Sequence, residues 1–110
     1  MIIISHHIYL QTGAQETAIA ITISKPERLE KAWACRYAIN WPEGQRMCEA
    51  IGFDQLQALV LALQMIGAEI YTSTYHQEGR LRAYDHDKGY GFPVASSLRD
   101  LLVGVDRVGM

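Results

Sequence analysis

The sequence predicts an α+β fold: a four-stranded antiparallel meander packed on one long helix (ββββα), with a short C-terminal strand and helix. Three observations lead there. The first half alternates apolar and polar residues with period two, short turns separate the alternating runs, and one capped helical stretch runs from Gly52 to Tyr71. Strands joined by turns this short must pair antiparallel, because parallel neighbours need a long crossover. A helix following such a sheet buries its apolar stripe against the sheet's apolar face.

The first strand spans Met1 to Leu10 and places Ile2, Ile4, His6, Ile8 and Leu10 on one face, with Ile3, Ser5, His7 and Tyr9 on the other. Thr12-Gly13-Ala14-Gln15 supplies a turn into a second strand, which points Ile19, Ile21 and Ile23 inward. Lys25-Pro26-Glu27 ends that strand. The third strand alternates most clearly: Trp33, Cys35, Tyr37, Ile39 and Trp41 share one face, and Ala34, Arg36, Ala38 and Asn40 the other. Pro42-Glu43-Gly44 turns the chain into a fourth strand, Gln45 to Ile51.

Asp54 is a favourable N-cap, and Gln57 three residues on completes a capping-box pattern. Leu56, Leu59, Val60, Leu63, Ile66 and Ile70 then recur at helical spacing as the expected core stripe. Gly67 within it permits close approach. Each such side chain contributes about 1.5–3 kcal/mol on burial. The opposite face carries Ala58, Leu61, Met65 and Ala68 where a solvated helix shows Lys and Glu, and Glu69 is the sole charge between Gln55 and Tyr71. That face needs cover, either from the chain's own residues 80–110 or from another chain. The expected partner is therefore a second copy, as a homodimer, or one protein partner. Farther on, Arg80 to Tyr84 reads as a short fifth strand and Ser97 through Leu102 as a short capped helix, with 104–110 frayed.

A length of 110 residues, 49% of them apolar and 20% charged, fits a single domain over 1–110. With a net charge of −2 and no basic run, a phosphate-tracking surface for nucleic acid is not expected. No window has the apolar length of a membrane span, and the apolar start lacks the layout of a signal peptide. Cys35 and Cys48 read as reduced thiols in a cytoplasmic protein.

The densest polar segment is the loop Asp85-His86-Asp87-Lys88-Gly89-Tyr90-Gly91-Phe92-Pro93. Asp85, His86 and Asp87 could bind a metal or act as acid and base, making a small ligand-binding domain or enzyme the alternative function. An EF-hand fails, since its twelfth position holds Ser96. A glycine-permitted turn with Tyr90 and Phe92 packed back on the domain is the favoured reading. His6 and His7 point to opposite faces, and no zinc-type spacing exists, so no metal or cofactor is expected. Cys35 stands between Trp33 and Tyr37 on its face, where packing keeps a thiol inert. Trp33, Tyr37 and Trp41 could stack nucleobases, but Arg36 points away from them and core packing is preferred. No residue is expected to be catalytic.

The order Trp33-x-Cys35-x-Tyr37-x-Ile39, Gly52-Phe53-Asp54, Gln57-Ala58-Leu59 and Gly89-Tyr90-Gly91-Phe92-Pro93 resembles small uncharacterised bacterial domains ending in a GYGFP-type loop. Some of these are similar to companions of toxin loci, in which an immunity protein binds and blocks its toxin. The resemblance covers roughly residues 30–95 and implies protein binding without implying catalytic residues.

Overall fold

The computed structural model describes residues 1–83 and 89–92. It is α+β, with an antiparallel sheet and one main helix. The elements are β1 (Ile2–Thr12), β2 (Gln15–Ser24), β3 (Glu27–Arg28), β4 (Trp33–Trp41), β5 (Gly44–Gly52), α1 (Gln55–Tyr71), α2 (Thr74–Gln77) and β6 (Leu81–Arg82). The strand order is β3-β4-β2-β1-β6, with β5 also paired to β4.

The sheet departs from a plain four-stranded meander at two places. After Pro26 the chain resumes pairing as β3, with Glu27 opposite Ala34 and Arg28 opposite Trp33. Two residues are too few for alternation to reveal. Of the strand expected at Arg80 to Tyr84, the described residues contain β6, where Leu81 faces Leu10 and Arg82 faces Tyr9; Tyr84 lies outside them. α2 is a further addition, capped by Ser73, whose Oγ accepts the His76 backbone N–H at 3.2 Å. The C-terminal helix expected at Ser97 lies outside the described residues.

Two compact units divide the chain: Met1–His7 with Ile19–Ala62, and Ile8–Ala18 with Leu63–Met110. In the first, Ile19, Ile21 and Ile23 of β2 and Cys35, Tyr37 and Ile39 of β4 are buried as their alternation predicts. The β2–β4 register sets Ile21 against Ile39 and Ile23 against Tyr37, so same-face apolar pairs meet across the ladder. Trp33 and Trp41, at the ends of β4, are only half-buried. On the other face Arg36 bridges Glu49 at 3.1 Å and Glu27 at 3.4 Å, solvated pairs that contribute little to stability.

In the second unit Ile8, Leu10, Ile66, Ile70, Tyr71, Leu81, Tyr90 and Phe92 are buried. β6 is held to β1 by backbone and side chain together. The Gln11 N–H donates to the Arg80 carbonyl at 2.8 Å, and Arg80 Nε returns a bond to the Gln11 carbonyl at 2.9 Å. Arg82 grips Glu16 through two nitrogens, at 3.0 and 2.6 Å, the bidentate geometry that gives a guanidinium–carboxylate pair its direction.

Candidate functional site

The turn from β5 into α1 fixes a large aromatic side chain in solvent. Gly52 makes the turn possible, since a Cβ there would stand 2.5 Å from the Ala58 backbone nitrogen. Asp54 caps the helix as its sequence position predicts, its Oδ1 accepting the Gln57 N–H at 2.7 Å. The reciprocal bond is displaced by one residue from the standard capping box. The Gln57 side chain takes the N–H of Phe53 rather than that of Asp54. Phe53 is thereby held outward with 87% of its surface exposed. It makes no hydrophobic staple, because the residue at the matching helix position is the small Ala58.

Around Phe53 the chain stays apolar. Leu56 is 70% exposed, Ile51 49% and Val60 39%, and Asp54 is the lone charged residue from Ile51 to Val60. This placement corrects the expected helix faces. Ala58, expected on the outer face, is completely buried, as are Ala62, Ile66 and Ile70 at the following four-residue steps. Leu56 and Val60, expected inside, are outside. The physical reason is that small residues let a helix backbone approach closely, which the contact at Gly52 and Ala58 shows directly. Leu61, Met65 and Ala68 of the expected interface are half-buried.

Of the loop candidates, Asp85, His86 and Asp87 lie outside the described residues. Tyr90 and Phe92 are buried, and the flanking Gly89 and Gly91 take φ of 79° and 92°, a backbone region that favours glycine. Tyr90 joins a cluster with His76 and Tyr71. Its hydroxyl lies 2.6 Å from His76 Nδ1, and both rings meet Tyr71 edge-on at centroid distances of 4.8 and 5.1 Å.

Burial pushes the His76 imidazole below the usual histidine range. The folded chain then binds this proton less readily than the unfolded chain. Stability is therefore full above the ordinary value of about 6.5 and declines as pH falls towards the depressed one. Between about pH 7.5 and 5.5 the wild type is expected to lose more of its melting temperature than His76→Gln. Equal slopes would remove His76 as the cause.

A family model described as Domain of unknown function (DUF6968) matches residues 4–94. The chain belongs to the DUF6968 family. The matched span contains both the Gly52–Asp54 turn and the Gly89–Phe92 segment. No curated protein and no solved structure matches.

Other parts of this DUF6968 chain offer less for chemistry. Cys35 is buried, donates its thiol to the Ser24 carbonyl at 3.4 Å, and has its pKa raised by burial, so it is held in the unreactive form. Cys48 is half-exposed, and both thiols are free. Arg36, Met47, Cys48 and Glu49 line a depression of about 250 Å³ on β4 and β5. Its guanidinium is already engaged by Glu27 and Glu49. Among the described residues no group of three or more His, Cys, Asp or Glu could hold a metal ion. No helix among them is long and apolar enough to cross a membrane.

Proposed function

We propose that this DUF6968 protein is a non-enzymatic protein-interaction module that binds a protein partner through Phe53, Leu56 and Val60. The observation that carries the reading is the exposure of Phe53 on a turn locked by Gly52, Asp54 and Gln57. An aromatic side chain pre-set in solvent loses little conformational freedom on docking, and aromatic anchors dominate interface energetics. The apolar neighbours supply the rest of a desolvated centre. The resemblance to bacterial toxin-locus companions gives the partner a form: a toxin that the module binds and blocks. Two unbridged thiols suit action in the cytoplasm.

The test is capture by the tagged full chain from its native cell, with Phe53→Glu and Leu56→Glu variants beside the wild type. One stoichiometric protein held by the wild type should bind each variant roughly thirtyfold or more weakly, the loss of about 2 kcal/mol typical of an anchor. The substitutions sit on exposed side chains, so circular dichroism should be unchanged. Equal capture by wild type and variants would reject the surface.

A further inference from the structure

β1 is an eleven-residue strand whose second neighbour covers only one end of it. On the side away from β2, β6 pairs with Tyr9 and Leu10, and the Gln11–Arg80 bond adds one step more. Among the described residues no strand pairs with Ile2 to Ile8 on that side. Gln11 turns its N–H toward β6, and by the period of two His7 and Ser5 turn their backbone groups toward the same edge. The exposed side chains point to edge pairing and away from docking on one face. Ile2, Ile3 and Ile4 are 58, 44 and 43% exposed. Consecutive strand residues project to opposite faces, so a surface laid on one face would leave half of them in water.

β6 carries Arg82, bound to Glu16, so the contrast in charge lies between β5 and the uncovered stretch of β1 itself. β5, at the sheet's other end, carries Arg46 and Glu49, both exposed, and charged side chains are a standard protection of edge strands. From Met1 to Leu10 the side chains include no Lys, Arg, Asp or Glu. A strand without Lys, Arg, Asp or Glu is compatible with itself. Antiparallel pairing centred on Ser5 would set Ile2 opposite Ile8 of a second copy, Ile3 opposite His7 and Ile4 opposite His6, with serine against serine at the axis. No Lys, Arg, Asp or Glu is brought face to face, and the two serines, whose backbone groups face the edge, form a hydrogen-bonded pair that exchanges two N–H···O=C bonds at the axis.

We infer that two copies of this chain join through the Ile2–Ile8 edge of β1, antiparallel about a two-fold axis at Ser5, so that the two sheets become continuous. The two-fold operation uses both β1 edges at once, and the assembly closes as a dimer. This surface is separate from Phe53, and Phe53→Glu leaves the dimer intact. Failure of either proposal is thus visible without the other.

The experiment is sedimentation of the full chain over roughly 1 to 300 μM, with Ser5→Lys and Ser5→Cys compared. The wild type is expected to move from monomer to dimer and no further. Ser5→Lys sets two like charges opposite each other at the axis, and should weaken the dimer about tenfold or more without altering the circular dichroism spectrum. Ser5→Cys should give a covalent dimer on mild oxidation at a rate well above that of the wild type, whose own Cys35 and Cys48 provide the background. A monomer throughout the range, open-ended assembly, a dimer indifferent to Ser5→Lys, or background-level cross-linking of Ser5→Cys would each overturn the inference.

Discussion

Gly52→Ala is expected to destabilise the fold by about 1–3 kcal/mol, the range for forcing extra atoms into a packed site. The new methyl carbon would sit 2.5 Å from the Ala58 nitrogen and 3.0 Å from the Ala58 Cα and the Gln57 carbonyl carbon. All three are backbone atoms, so no side chain can swing aside. Relief requires the first turn of α1 to move off β5, which also shifts Asp54 and frees Phe53 from its fixed direction. Urea unfolding should show a lowered midpoint, and partner capture should fall with it. Gly13 makes a suitable contrast, with φ of 62° but open space around its Cβ position. Its alanine variant carries backbone strain without a clash. An unchanged midpoint for Gly52→Ala would mean that the helix start is not held against β5 as described.

Ile66→Ala is expected to cost about 2–5 kcal/mol, while Leu56→Ala should stay within about 0.5 kcal/mol of wild type. Ile66 is completely buried and leaves a cavity when truncated; Leu56 is 70% exposed and leaves none. The pair is informative because helical periodicity puts both residues in the same stripe. Equal losses in equilibrium unfolding would restore that stripe and place Leu56 in the core.

The long strands β2 and β4 were legible because each carries its own contrast, whereas the two-residue β3 carries none. Ile19, Ile21 and Ile23 alternate with small or polar residues, and their burial follows directly. The rotation of α1 was not legible. Periodicity orients a helix when one face is charged, and between Gln55 and Tyr71 Glu69 is the sole charge. With apolar residues all round, close approach decided the matter and selected the face that carries the small Ala58 and Ala62. Alternation also assigns a face without saying how far along the strand its cover extends, which is why Ile2 and Ile4 share a face with Ile8 and yet remain exposed. The Asp54 cap was legible; the shift of the Gln57 return bond to Phe53 and the exit of Phe53 were not. A signal for it existed: a hydrophobic residue before an N-cap normally packs on a large residue four positions into the helix, and Ala58 stands there. The His76–Tyr90 contact joins residues fourteen positions apart with no periodic relation between them.

The two cysteines sit at very different depths on neighbouring strands. Cys35 lies beneath the β2–β4 ladder with its sulfur bonded to Ser24, and Cys48 lies on β5 within partial reach of solvent. An alkylating reagent therefore meets two clocks in one molecule. Cys48 reacts from the native state, whereas Cys35 waits for β4 to open. The interval between the first and second additions of mass reports how often the centre of the sheet comes apart while the protein remains, on average, folded.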